Sequence, residues 1–298
     1  MLERIFFFKQ RILKLFAFAC YFNPIFAINI LSFMKRFIPI VLLLSSTLSF
    51  VACKKIINVD VNNAAPRVII EAEITDELGK FQHQFYLSQS NTLSANNQRT
   101  PIVGASVIVE DVTLHQKDTL QESAPGVYVT QHTLGISGHT YQLNAWVNGV
   151  QYVASSTMPN AVPLDSLKVQ VYQFFGQKVK QVVPVFQDPI GIANYYRFSL
   201  VLNDSVLNES TQAWEDALTD GKTNSRPINI AEQDLFKGND TLVVTMNCTD
   251  KASYNYFNTL QNATGNGQTP SNPLSNISSN GLGYFSAVTK IRRVVIVP

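Results

Sequence analysis

The sequence predicts an all-β body made of two β-sandwich domains, and three observations predict it. Apolar and polar residues alternate at every second position in many short runs. Gly, Pro and Asn turns separate those runs. An Asn-Gly pair, Asn148-Gly149, stands between two of them. Period-two alternation is the mark of a strand with one face buried. Asn-Gly accepts positive φ at both centre positions, which a two-residue hairpin requires.

The strands follow in order. Val68, Ile70, Ala72 and Ile74 alternate with Ile69, Glu71, Glu73 and Thr75. Phe81, His83, Phe85 and Leu87 alternate with Gln82, Gln84, Tyr86 and Ser88. Ala105, Val107 and Val109 repeat the rule, as do Tyr141, Leu143, Ala145 and Val147. About seven short strands over residues 65–158 fit an immunoglobulin-like or prealbumin-like sandwich. Residues 159–164, rich in proline, read as a linker. Residues 165–298 form the second, larger sandwich. Its strands run through Leu167–Val171, Val183–Val185, Tyr196–Leu202 and Leu242–Cys248, and the chain ends in Ile291–Val297. One or two short helical insertions are expected there. Thr211–Leu218 places Trp214, Ala217 and Leu218 on one side, and Asp250–Ala263 does the same with Tyr256, Phe257 and Leu260. Asp250 or Ser253 is available as N-cap of the latter. Asn262–Asn280 reads as a long loop.

The N-terminus reads as an address. Met34-Lys35-Arg36 is a basic start, Ile38–Phe50 is apolar, and Val51-Ala52-Cys53 closes the stretch. A basic, an apolar and a small-residue region in that order make a signal peptide, residues 34–52. A cysteine directly after the small residue is a lipobox, so Cys53 is the expected site of acylation and the anchor to the bilayer. Residues 37–52 are short of the roughly 20 apolar residues that span a membrane. Residues 1–33 read as a start called too early or an extra N-terminal segment. Residues 53–64 are then a lipidated leader.

Charge changes meaning once this address is set apart. The whole chain holds 23 basic and 21 acidic residues, a net +2. Residues 1–52 contain six of the basic residues and one of the acids, leaving 17 against 20 from Cys53 onward. The body is mildly acidic, and nothing in it suggests a nucleic-acid surface.

No compact catalytic motif is present, and the body reads as non-enzymatic, with no cofactor. There is no G-x-S-x-G elbow and no glycine-rich phosphate loop. His83, His115, His132 and His139 show no i,i+4 pair, and no metal site is assigned. His83 reads as a core histidine and Cys248 as a small buried hydrophobe. Glu215-Asp216 and Asp220-Gly221, with Asp204 and Glu209, offer oxygen ligands of the type calcium takes, but not at EF-hand spacing. The same acids could serve a hydrolase, given a cleft that sets their separation. Tyr195, Tyr196, Tyr254 and Tyr284 are the candidate ligand-binding residues, since exposed aromatic rings make a platform for sugar or peptide.

Several stretches carry a resemblance. Pro273-Leu274-Ser275-Asn276-Ile277 followed by Asn280–Ala287 resembles the C-terminal signature of a Bacteroidota lipoprotein family classed as a domain of unknown function. Gly104-Ala105-Ser106-Val107, Gly126-Val127-Tyr128, Gly138-His139-Thr140-Tyr141, Asp188-Pro189 with Asn194-Tyr195-Tyr196-Arg197, and Phe236–Asp240 support it in order. The resemblance implies an outer-membrane lipoprotein that assists a TonB-dependent β-barrel transporter in nutrient uptake. It implies no catalytic residues. Lys54-Lys55 follow the cysteine with no acidic cluster to direct display, so either face of the outer membrane stays open. A freestanding glycan- or peptide-binding surface protein is the alternative. Asp118-Thr119-Leu120, Asp165-Ser166-Leu167, Asp204-Ser205-Val206 and Asp240-Thr241-Leu242 also resemble the O-glycosylation acceptor of that phylum. The glycines of the C-terminal signature are expected to act through backbone conformation rather than binding.

Overall fold

The computed structural model describes residues 65–298 except 78, 80, 92–98, 175–176, 208–211, 229–235 and 264–271. The expected signal peptide, the expected acylation site Cys53 and the expected leader lie outside the described residues.

The first half of the body forms nine strands. They are β1 (Val68–Thr75), β2 (Gln84–Gln89), β3 (Thr100–Pro101), β4 (Ser106–Asp111) and β5 (Gln116–Thr119), then β6 (Gln121–Ala124), β7 (Val127–Val129), β8 (Thr140–Val147) and β9 (Val150–Thr157). Alternation decides them. Val68, Ile70, Ala72 and Ile74 are buried, while Ile69, Glu71 and Glu73 are only partly covered. The β8–β9 turn is the expected hairpin, with Asn148 at φ +51° and Gly149 at φ +80°. Phe81 departs from the expected pattern: β2 begins only at Gln84, and the Phe81 ring is half-exposed.

The second half adds β10 (Ser166–Phe174), β11 (Gln177–Gln187), β12 (Tyr195–Leu202), β13 (Ser205–Val206), β14 (Gln212–Glu215), β15 (Thr223–Asn224), β16 (Thr241–Thr249), α1 (Lys251–Ala263) and β17 (Leu282–Ile296). Helix α1 begins where expected. Asp250 accepts the Ser253 N–H at 2.8 Å, and its other oxygen takes the Ser156 hydroxyl of β9 at 2.6 Å. The expected helix over Thr211–Leu218 is corrected: Gln212–Glu215 is strand β14, paired with β12. Its two faces are both buried, Ala213 beneath α1 and Trp214 in the main core, so alternation is invisible in its sequence. The helical spacing of Trp214 and Leu218 has no structural counterpart, because Leu218 is 88% exposed.

One ten-stranded sheet organises the molecule, in the order β13-β12-β16-β17-β1-β2-β7-β6 with β14 beside β12 and β3 beside β2. A four-stranded sheet, β5-β4-β8-β9, covers the inner face at one end, and β10-β11-β15 covers it at the other. Each covering makes a sandwich with its own core. Phe85, Tyr141, Leu143 and Phe285 fill the first, and Phe186, Tyr196, Phe198 and Trp214 fill the second. Residues 62–298 form one compact unit that holds both cores. The 159–164 segment runs from one to the other, with Met158 buried in the first and Val162 and Leu164 in the second.

Strand β17 joins the halves. It runs parallel to β1, pairing Ile70 with Gly283 and Ala72 with Phe285, and antiparallel to β16. Gly283 has φ +89°, and a Cβ there would lie 2.0 Å from the Ile70 carbonyl oxygen. Asn276 holds the Phe285 backbone: its amide accepts the Phe285 N–H at 3.0 Å and donates to the Phe285 carbonyl at 2.7 Å. Ile277 is buried beside these strands, and a Cβ on Gly281 would meet it at 2.5 Å. The C-terminal signature therefore closes the first core.

Gly283→Ala is expected to destabilise the protein by at least about 3 kcal/mol, since both φ and the carbonyl contact oppose a methyl group. Gly149→Ala has positive φ but open space, so about 1 kcal/mol is expected. Urea midpoints of the two variants check this; equal losses would refute the close-approach account.

Candidate functional site

The outer face of the ten-stranded sheet divides in two. Over β12, β14 and β17 it is covered by α1; over β1, β2, β7 and β6 it is open.

The covered half gathers aromatic rings. Tyr254 and Tyr195 lie with centroids 5.0 Å apart, and Tyr284 packs on Tyr256 and Phe257 at 5.0 and 4.8 Å. Arg197 sits 4.4 Å over the Phe257 ring and pairs with Glu73 of β1. Lys290 of β17 adds a second cation to Glu73 at 3.7 Å. Burial opposes ionisation of Glu73, but Arg197 and Lys290 outweigh it and hold the carboxyl below its ordinary value. Burial pushes the Tyr256 hydroxyl up to about 12, and Tyr284 is raised for the same reason. These phenols stay neutral at physiological pH.

Of the four expected tyrosines, three share this cluster: Tyr195, Tyr254 and Tyr284. Tyr196 points to the opposite face of β12, into the second core, where its hydroxyl donates to Asp188. Tyr254 is buried and Tyr195 and Tyr284 are partly covered, so the rings pack mainly on one another.

The open half holds a groove of about 710 Å³. Outward-facing residues line it: Glu73 and Thr75 of β1, Gln84 and Tyr86 of β2, Gln121, Glu122 and Ser123 of β6, and Lys290 at one end, with Gln82, His83, Val129 and Gln131 completing it. Its volume falls within the range of small-molecule sites. Its chemistry is that of amides and hydroxyls. The Tyr86 ring is 44% exposed, and its hydroxyl donates to Gln84 at 2.8 Å. Glu122 is occupied: Gly104 and Gly126 N–H groups bond it at 2.9 and 3.1 Å and lower its pKa. Sequence reasoning missed this site, although the Gln82, Gln84, Tyr86 series along one strand face was its readable trace.

Other candidates fall elsewhere. His83 is buried at the groove floor, its backbone N–H donating to Thr130 Oγ1 at 2.7 Å. His139 Nδ1 lies 2.8 Å from Asp111, whereas the His132 backbone N–H donates to Asp118 at 2.7 Å. Cys248 is buried in the second core, and burial raises its thiol. Thr119, Ser205 and Thr241 are exposed and Ser166 is partly so. Asp216 and Asp220 do come together, and with a residue not expected, Asp188. Burial, with Asp216 and Asp220 adding to it, raises the Asp188 carboxyl. Asp204 lies instead in the tight β12–β13 turn at φ +66°, and Glu209 is outside the described residues. Among the described residues no helix is long and apolar enough to cross a membrane.

The Glu73 pairing makes stability depend on pH. The folded carboxyl binds its proton more weakly than the unfolded one, whose value is 4.5. Its contribution is complete above that value and is lost as pH falls through the lower folded value. Glu73→Gln is expected to cost about 2 kcal/mol at neutral pH, because Arg197 loses its partner. The gap between variant and wild type should narrow toward about pH 3. Denaturant midpoints at both pH values test this, and a pH-independent gap would contradict it.

No curated protein matches this chain. Among solved structures it is similar to an α-L-rhamnosidase from Dictyoglumus thermophilum, at 11% identity and a TM-score of 0.24. That likeness covers 62% of this chain and 27% of the rhamnosidase, so the chain spans about a quarter of that protein's length. A family model described as "Domain of unknown function (DUF4249)" matches residues 54–293. With most of its length covered, this chain belongs to that domain-of-unknown-function family.

Proposed function

We propose that the protein is a non-catalytic lipoprotein, tethered to the outer membrane through acylated Cys53, that binds a polar ligand and assists a TonB-dependent β-barrel transporter in nutrient uptake. The observation that carries the binding role is the groove on the open half of the long sheet. Most of its lining comes from the sheet itself, so its geometry is set mainly by backbone pairing. The tether rests on the lipobox at Val51-Ala52-Cys53, and the transporter link rests on the family resemblance. A membrane-held binding protein raises the local concentration of its ligand beside a transporter, which is the physical advantage of the pairing. Purification of the native lipoprotein from its own membranes in mild detergent is expected to bring down a β-barrel partner, identified by mass spectrometry. Repeated recovery as a lone monomer would overturn the transporter role.

Tyr86 and the glutamines favour a second reading, a freestanding protein that binds glycan or peptide. Flat aromatic faces beside amide donors and acceptors suit neutral polar ligands. Under either reading, glycan and peptide panels are expected to shift the groove resonances of the full-length protein. Tyr86→Ala and Gln84→Ala should weaken such a ligand at least about tenfold, a loss of roughly 1.4 kcal/mol. Unchanged affinity in both variants would remove the groove from consideration.

A further inference from the structure

Away from the groove, three carboxylates meet at the edge of the second core. Asp188 follows β11 and is 1% exposed; Asp216 follows β14 and is 7% exposed; Asp220 lies in the turn beyond, at the surface. One oxygen of each lies within 4.8 Å of the others. Among the described residues no lysine, arginine or histidine forms an ion pair with any of the three. Two buried carboxylates beside a third, with no cation, is an arrangement that costs free energy unless a positive charge joins it.

The groups that hold these carboxylates are neutral. Tyr196 donates its hydroxyl to Asp188, and the Gly221 N–H reaches the other Asp188 oxygen at 3.3 Å. Asn194 N–H donates to Asp216 Oδ2 and Gly191 N–H to Asp220 Oδ1, both at 2.7 Å. Asp216 Oδ1 and Asp220 Oδ2 take no hydrogen bond among the described residues, and stay available as ligands.

A further oxygen is independent of the acids. Asn194 is 8% exposed, and its side-chain Oδ1 is buried with no hydrogen-bond partner among the described residues. The β12–β14 register, with Tyr195 opposite Glu215, sets Asn194 opposite Asp216, and the Asp216 N–H donates to the Asn194 carbonyl at 3.2 Å. Residues opposite one another in an antiparallel pair present their side chains on the same face. Tyr196, two residues along on that face, reaches Asp188. The Asn194 side chain, with its unbonded buried oxygen, therefore stands on the face of β12 where the carboxylates gather.

We propose that Asp188, Asp216, Asp220 and the side-chain oxygen of Asn194 form a calcium site joining the β11–β12 and β14–β15 loops. The donors are all oxygen, which selects a hard cation over zinc or copper. Calcium accepts irregular shells of six to eight oxygens, completed by water, whereas magnesium demands a near-ideal octahedron. The two loops already touch: a Cβ on Gly221 would meet Ile190 at 2.9 Å. Between them they expose Ile190 (81%), Ile192 (58%) and Leu218 (88%), so a bound ion would fix the spacing of an apolar tip. The site stands apart from the groove and does not depend on the ligand-binding reading.

The test uses full-length lipoprotein in detergent, stripped with chelator and titrated with calcium chloride. One calcium per chain is expected by calorimetry, with a melting temperature raised by roughly 5 °C at about 1 mM calcium. Amide exchange should slow at Gly191 and Gly221. Asp216→Asn and Asp220→Asn should each weaken calcium at least about tenfold while leaving the calcium-free melting temperature unchanged or raised. Asp220 is at the surface, so its variant keeps the test valid if the buried substitution impairs folding. No heat and no melting shift at about 5 mM calcium would overturn the proposal. So would a shift undiminished in both variants, or a response to magnesium without one to calcium.

Discussion

The parallel pairing of β17 with β1 is the constraint on which the rest of the body depends. It places the last strand in the middle of the long sheet, between β1 and β16. No sandwich core is complete until it arrives: Phe285 and Ala287 belong to the first core, and Ile291 and Val295 pack on the second. The strand is 15 residues long because it must cross both. A parallel neighbour far away in sequence cannot be made by a hairpin, so this contact is non-local and carries a loop-closure cost that local pairings avoid. The backbone approach at Gly283 is the steric condition for that pairing, and Asn276 adds two hydrogen bonds to the Phe285 backbone beside it.

The same strand decides the outer face. Lys290 and Tyr284 project from it on opposite sides of Ser286, one toward the groove and the other under α1. Glu73 stands at the divide. It ties β1 to Arg197 of β12 through a pairing that spans β17 and β16, and Arg197 in turn meets the Phe257 ring of the helix. Asn247 of β16 reinforces this when its amide oxygen faces Arg197, accepting from Nε at 3.2 Å. Four elements are thereby fixed to one carboxylate, and where the helix stops the groove begins.

Much of the fold was legible because most strands have one buried face. β1, β4, β8 and β12 alternate cleanly, and the hairpin at Asn148-Gly149 states its turn type in two residues. Legibility fails where both faces are buried. β14 lies between the core and α1, so Gln212, Ala213 and Trp214 are all covered and the period vanishes. β17 has the same property over Phe285–Thr289, so only its second half, from Ile291, was readable as a strand. The cation-site carboxylates failed differently. Asp216 and Asp220 were visible as a local pair, but Asp188 joins them only because β11 and β12 turn beside the end of β14. The expected tyrosine platform illustrates the converse: abundance of rings in a segment does not distinguish a binding face from a second small core, and three of the four rings pack chiefly on their neighbours.

Charge arrangement narrows what the groove can hold. Its obvious ions are committed to partners within the protein: Glu73 to Arg197 and Lys290, Glu122 to two backbone N–H groups, and the Lys290 ammonium to Glu73 and Glu77. An anionic or cationic ligand would have to break one of these pairings and leave its partner unmatched, at a cost of the order of 1–3 kcal/mol. A neutral ligand with many hydroxyls or amides meets no such cost. It exchanges hydrogen bonds with water for bonds to Gln82, Gln84, Gln121 and Ser123, and can lay an apolar face on Tyr86. Each such exchange contributes little, about 1 kcal/mol, so useful affinity requires several at once. A groove set mainly on five adjacent strands of one sheet provides most of that simultaneity from paired backbone, which is the physical reason for placing the proposed ligand there rather than among the stacked tyrosines.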